Sequence, residues 1–316
     1  MRAIVFDRKL EFRADYPDLV EAAGESIVRV SLAGICGTDL EIARGYMNYR
    51  GVPGHEFLGR VATTSNSALR GRRVVGEINA GCGRCATCAA GLARHCPNRT
   101  VLGILGRDGA FAEFLALPDA NLIPVPDTIP DEVAVFVEPI AAAYEILEQV
   151  HLARNRTIVV IGDGRLGALV ALVLKGENYL PAVAGHHPEK LKRLKSLGLD
   201  TAEESALRDR FDVVIDCSGS GSGFPRALEL VKPRGTIVLK STAAAGAEIN
   251  LAPVVVNEIT VIGSRCGRFA PALDALASGK IDPRPLIDGA FPLDEGIAAF
   301  EAAANPLNFK ILLSAS

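Results

Sequence analysis

Residues 157–174 read TIVVIGDGRLGALVALVL: an apolar run, three glycines spaced GxGxxG, then apolar residues at helical intervals. Gly162 permits the tight turn, Gly164 lets a pyrophosphate approach the backbone, and Gly167 lets helix and strand pack closely, with the helix N-terminus facing the anion. By itself the pattern is weak and fits an ordinary structural turn. Its neighbours decide the reading, because strands and amphipathic helices alternate from about Thr157: TIVVIG, RLGALVALVLKG, LPAVAG, PEKLKRLKSLG, FDVVIDCSG, FPRALELVKPRG, TIVLKS and ITVIGS. This alternation predicts parallel βαβ units, hence an α/β fold with a doubly wound sheet and a dinucleotide at its glycine turn. Gly162, Gly164, Leu166 and Gly167 are the candidate cofactor contacts there.

The end of the second strand bears on which dinucleotide is bound. An acid about 20 residues past the glycines usually accepts the ribose 2′-hydroxyl and repels a 2′-phosphate. Here the strand ends LPAVAGHH, so Gly185 stands where the acid is expected, followed by His186 and His187. With that carboxylate missing, and with His186, Lys190 and Arg193 able to meet a phosphate, the expected preference is NADP over NAD. The other reading makes the two histidines only a polar helix entry before Pro188. Ser218 with Gly219, after FDVVIDC, and Ser264 with Arg265, after ITVIG, fall at strand ends that line the cofactor crevice in such folds. Cys217 and Cys266 stand apart from other cysteines and read as small packing residues.

Upstream the texture differs. Short β-rich pieces, AIVFD, SIVRVSLAGI, GRVATT, RRVVGEI and AFAEFLAL, are broken by Gly, Pro, Asn and Asp and predict a small barrel-like β domain to about Ile123. A chain of 316 residues suits two domains, and two domains imply a cleft. Past Ser264 come the helix PALDALASG, the helix LDEGIAAFEAAAN and a closing strand, FKILL, which is placed to return to the first domain. A net charge of -3 without Lys/Arg blocks argues against nucleic acid or an anionic membrane as partner and for a small molecule. The apolar helical run Leu166 to Leu174 is far short of the ~20 residues that cross a bilayer. The opening MRAIVFDRKLEF reads as strand and turn rather than as a secretion signal, so a reducing cytoplasm is the expected setting.

Two groups of residues have the chemistry of metal ligands. In CGRCATCAAGLARHC, Cys82, Cys85, Cys88 and Cys96 are close enough to converge on one tetrahedral zinc, closed to substrate and therefore structural. Redox disulfides are the alternative, less fitting in a reducing compartment. His95, inside this lobe, is expected to face solvent. In GICGTDLEIARGYMNYRGVPGHEFLGRV, Cys36 and His55 offer a thiolate and an imidazole, Glu56 follows, and Asp39 can hold the imidazole by its second nitrogen. A third ligand is needed, and Glu138 interrupts the apolar run AVFVEPIAAAYEIL, where an unpaired charge is costly.

In the order of these motifs, GICGTD, PGHEF, the four-cysteine lobe, VEP and the glycine turn, the chain resembles the zinc-dependent medium-chain dehydrogenase/reductases, the alcohol and polyol dehydrogenase group. The resemblance covers essentially the whole length. It implies a GroES-like catalytic domain over 1–139 with a zinc lobe at about 80–97, a Rossmann domain over 140–267 and a return to the catalytic domain over 268–316. It implies two zinc ions per chain. Cys36 and His55 would bind the catalytic one, with Glu138 as third ligand and Glu56 able to ligate in some states. The open position takes the substrate oxygen, and a hydride passes to or from NAD(P).

Thr38 matches the hydroxyl that bonds the substrate oxygen in that family, a turn-stabilising role being the alternative. Glu41 stands where many relatives carry a histidine that finishes the proton relay, so the proton exit departs from the family pattern. Lys310 matches a cation near the cofactor pyrophosphate, the alternative being a surface lysine on a terminal strand. Homodimers or homotetramers are implied, with ITVIGS able to pair across an interface. Two other functions stay open: an NADPH-dependent reductase of a larger carbonyl compound, and a non-catalytic redox sensor that binds zinc and a dinucleotide.

Overall fold

Val159, Val160 and Ile161 are almost wholly buried because their strand, Ile158–Ile161, lies inside a six-stranded parallel sheet of the computed structural model, which describes residues 1–241 and 249–315. The strands run in the order Asp200–Glu203, Pro181–Gly185, Ile158–Ile161, Phe211–Asp216, Val231–Leu239, Thr260–Gly263. Every neighbouring pair is parallel. The inner strands are continuous apolar runs rather than alternating ones, as a sheet covered on both faces requires. The helices Arg165–Gly176, Pro188–Ser196 and Gly223–Leu230 supply the crossovers. Ala227 and Leu230 join Val159, Ile161, Val214 and Ile237 in one apolar core.

The chain first builds outward from Ile158–Ile161 on one side, then crosses to Phe211–Asp216 on the other. The order therefore reverses between these two strands, and a ligand in such sheets binds beyond the carboxyl ends at that reversal. Gly162 and Cys217 leave those ends, the Cys217 N–H donating to the Ile161 carbonyl at 2.8 Å.

The chain divides into two compact units, Met1–Glu138 with Ala272–Ser316, and Pro139–Pro271. The joins expected at 139/140 and 267/268 thus fall at 138/139 and 271/272. In the first unit one sheet carries the strands Ile287–Pro292, Lys310–Ser314, Glu25–Gly34, Glu56–Thr63, Arg73–Gly76 and Leu122–Pro124 in that order, and Phe114–Pro118 also pairs with Glu25–Gly34. Leu312 lies opposite Gly34 and Leu313 opposite Ala33, so the C-terminal strand does return to the N-terminal sheet. The first unit is a GroES-like domain and the second a Rossmann domain, and the chain is of the α/β class.

Three local readings differ from the expectation. Of AFAEFLAL only Phe114–Pro118 is a strand; Ala112 instead bridges Ala3, and the Phe111 carbonyl accepts from the Ile4 N–H. Lys9–Arg13, unread from sequence, folds back on Ala3–Asp7 through a turn at Arg8, whose φ is 68°. VKPRG, read as a helix end, opens the strand Val231–Leu239. In each case pairing with a distant or adjoining strand outweighs local propensity. No helix among the described residues is long and apolar enough to cross a membrane.

Candidate active site

Ile35 closes the long strand Glu25–Gly34 with its N–H on the Ile311 carbonyl, and Cys36 then begins the short helix Gly37–Ala43. Asp39, in the first turn of that helix, is completely buried and reaches back to accept the Cys36 N–H at 2.8 Å and the Gly54 N–H at 3.2 Å. One carboxylate therefore fixes both segments, the one at Cys36 and the one leading to His55. Its Oδ1 also lies 3.3 Å from His55 Nδ1, within ion-pair distance but not aligned as a hydrogen bond. Burial disfavours a protonated His55, yet Asp39 and Cys36 outweigh it and hold the imidazole pKa well above its usual value. Such a cluster of anionic donors around a buried imidazole calls for positive charge.

Cys36, His55 and Glu56 bring one ligand atom each to within 4.8 Å of one another, and the last two are buried. The thiolate, imidazole and carboxylate set suits zinc. Glu138 is not in that converging group. It opens the helix Val137–Gln149, and its carboxyl is pushed up to about 7, first by desolvation, with His55 opposing the rise and Glu56 and Glu77 adding to it. The structure thus brings Glu56 directly to Cys36 and His55, and Glu138 into their electrostatic surroundings. Thr38, half-buried, stands in the first turn of the same helix as Asp39. Glu41 is engaged by Arg44 at 2.6 Å.

Lys310 is not a surface lysine. It is buried beside Glu56, to which its ammonium is hydrogen-bonded, and its Nζ lies 5.6 Å from the centre of the Phe136 ring. This pairing joins residues 254 apart in sequence, and nothing local in NFKILL signals it.

The four lobe cysteines also bring their sulfurs within 4.8 Å of one another. Cys96 Sγ lies 3.5 Å from Cys82 Sγ and 3.7 Å from Cys85 Sγ, and it accepts N–H groups from Cys82 and Asn98. The Arg84 N–H, foremost, pulls the Cys82 thiol down to about 6, toward the thiolate that binds metal. His95 is exposed, and Cys217 is buried as a packing residue.

In the second unit Gly162 has a φ of 110°, open to glycine alone, and a Cβ on Gly167 would collide with the Gly162 carbonyl. A Cβ on Gly164 would meet nothing within 4 Å, leaving the backbone beside Leu166 open to a phosphate. Ser218 donates its N–H to Asp216 Oδ1 at 2.9 Å, and Ser264 is buried with its Oγ 3.3 Å from Lys240 Nζ. Both lie at strand ends, as expected. His186, mostly exposed, is paired with Glu204 at 2.9 Å.

Sequence reasoning missed Asp163, the residue between the first two glycines. Its carboxylate is buried, accepts the N–H groups of His186 at 2.9 Å and His187 at 2.7 Å, and meets His187 Nδ1 at 3.0 Å. It fills the space that a side chain on Gly185 would need. The acid in the glycine turn and the glycine at the strand end were the two halves of that signal.

With this geometry in view, residues 22–127 match the Alcohol dehydrogenase GroES-like domain and residues 166–278 the Zinc-binding dehydrogenase domain. The starvation-sensing protein RspB of Escherichia coli K12 is 31% identical over 89% of this chain and 89% of its own. The rspB alcohol dehydrogenase of E. coli CFT073, solved with NADH, superposes with a TM-score of 0.90 at 29% identity over 99% of both chains. L-threonine 3-dehydrogenase of Rhizobium etli CIAT 652 is 28% identical over 95% of this chain and 93% of its own. A zinc-binding dehydrogenase of Sinorhizobium meliloti 1021, solved with NADP, has a TM-score of 0.88 at 25% identity over 99% of this chain and 98% of its own. The chain belongs to the zinc-dependent medium-chain dehydrogenase/reductase family. It is an oxidoreductase of the alcohol dehydrogenase kind, a group that acts on alcohols and polyols.

The buried Glu56 and Lys310 pair is sensitive to substitution. In the metal-free protein Lys310→Met is expected to cost about 3–5 kcal/mol, because it leaves the Glu56 carboxylate buried and unpaired. Glu56→Gln combined with Lys310→Met is expected to recover much of that loss in urea unfolding.

Proposed function

We propose that the protein moves a hydride between NAD(P) and an alcohol or polyol, or its carbonyl product, at a zinc ion held by Cys36, His55 and a glutamate. The convergence of Cys36, His55 and Glu56 carries this reading. Of the two glutamates, Glu56 is the one whose carboxylate already meets the other donors, and Glu138 is the neighbour able to exchange with it. When bound, zinc supplies a Lewis acid and the dinucleotide supplies or accepts the hydride. Asp39 sets the orientation of His55, since a carboxylate against the non-ligating nitrogen fixes the ring and raises its basicity. Thr38, two residues past Cys36, would accept a hydrogen bond from the substrate hydroxyl and hand its own proton onward as the substrate's proton arrives.

Cys82, Cys85, Cys88 and Cys96 hold a second zinc whose four thiolates leave no position for substrate. Its role is to fasten the loop. A reducing, cytoplasmic setting suits seven cysteines that are all free. The strand Thr260–Gly263 forms one edge of the parallel sheet, and Val255 and Val256 nearby are 76% and 79% exposed. Exposed valines beside an unpaired strand edge support assembly of two or four copies through this edge. Sedimentation equilibrium is expected to give a dimer or tetramer; a monomer at micromolar concentration would remove this part of the reading.

The decisive experiment is a panel of short alcohols, polyols, aldose sugars and aldehydes, followed by nicotinamide absorbance, on protein assayed for zinc. We expect two zinc ions per chain and turnover on at least one alcohol or aldehyde; a zinc content of one, with no turnover, would sink the catalytic site. Thr38→Ala is expected to lower kcat by roughly 100-fold or more, as loss of a proton-transfer group does, without changing the dinucleotide Kd.

A further inference from the structure

We propose that Asp163 makes the enzyme select NAD over NADP, because its own carboxylate occupies the anion site that a 2′-phosphate would take. The proposal rests on the dinucleotide reading of the glycine turn and reverses the preference expected from Gly185 alone.

The donors around Asp163 form a phosphate cradle in miniature. Two successive backbone N–H groups, of His186 and His187, point at Oδ2, and the His187 ring lies 3.0 Å from Oδ1. Consecutive N–H groups at the start of a helix, with cationic side chains beside them, form the arrangement that takes an anion. Burial disfavours the charge of Asp163, but the N–H and imidazole of His187 and the buried Lys190 outweigh it and hold its pKa below the usual carboxylate value. The site is thus filled by an ionised carboxylate from the chain itself.

Gly185 explains why the acid comes from the turn rather than from the strand. A Cβ there would run into the Asp163 carboxylate, so an acid at position 185 and one at position 163 exclude each other. Asp163 fills the space at the strand end where the acid of such folds meets the adenosine ribose, and its Oδ1 lies against the His187 ring. An ionised carboxylate has about four acceptor positions, so it can accept from a ribose 2′-hydroxyl in addition to its partners within the chain.

A 2′-phosphate would meet that oxygen as a like charge. His186, one of the groups that could receive a phosphate, is held by Glu204, which also pairs with Arg226 at 3.3 Å. Two carboxylates therefore border the position.

The test is the Kd of NADH and of NADPH for the zinc-loaded enzyme, read from the fluorescence of the bound nicotinamide with no substrate present. Wild type is expected to bind NADH tighter by roughly tenfold or more, since like charges brought together are strongly disfavoured. Asp163→Asn, which removes the charge and keeps the volume, is expected to shift the ratio toward NADPH. Asp163→Gly with Gly185→Asp returns an acid to the strand end and is expected to restore the preference for NADH. A carboxylate that served only to hold the loop would not be rescued in this way. Equal or tighter binding of NADPH by wild type overturns the proposal, as does an equal loss of both cofactors in Asp163→Asn. Binding of neither dinucleotide by wild type overturns the reading of the glycine turn, and the Asp163 proposal with it. The wild-type ratio decides the matter even where a variant fails to fold.

Discussion

A carboxylate and an ammonium buried against each other, Glu56 and Lys310, tie the beginning of the catalytic unit to its end. Neither charge tolerates such surroundings alone, because desolvation of an unpaired ion outweighs what the neighbouring apolar groups return. The strand Lys310–Ser314 must therefore lie where it does, antiparallel to Glu25–Gly34 and one strand removed from Glu56–Thr63. Since Cys36 follows Glu25–Gly34 and His55 directly precedes Glu56–Thr63, the register between those two strands sets how near the two side chains come. Glu56 also has two obligations, one toward Lys310 and one toward Cys36 and His55. A carboxylate with two oxygens can meet both.

Around the same centre the charges are arranged as a series of dependent pairs. Asp39 is fully buried and made tolerable by two backbone N–H groups, and it then imposes its charge on His55. Glu138, with fewer compensating donors, responds instead by a rise in its pKa to about 7. Asp39 and Glu138, near one point, thus stand in different electrostatic settings because each has different partners.

The two metal groups differ in how far they could be read from the chain. The lobe is local: four cysteines within one short stretch need only a short helix, Ala86–Ala89, and a 3-10 turn, Ala93–His95, to bring their sulfurs together. Its donors were legible outright. The open group is assembled from a strand end, a loop and a helix start, so Cys36, His55, Glu56 and Glu138 could be named as candidates, while the choice between the glutamates rests on three-dimensional convergence. Lys310 looked like a terminal surface residue because its partner lies at the other end of the unit. Asp163 escaped because the ribose rule inspects the strand-end residue, here Gly185, and not the side chain that crosses over from the glycine turn.

Sequence alone determined the classes of element and their order: apolar runs long enough only for buried strands, glycines where a turn demands them, and thiolates too close together to avoid one another. These are properties of neighbouring residues, and short-range sterics and hydrophobic period suffice to express them. Only the tertiary structure decided which charges face each other, that Glu56 answers Lys310, that Asp39 serves two loops and that Asp163 stands in the space of Gly185. The reason is that a buried charge is governed by distance through the fold and by its loss of water, and neither quantity is carried by position along the chain.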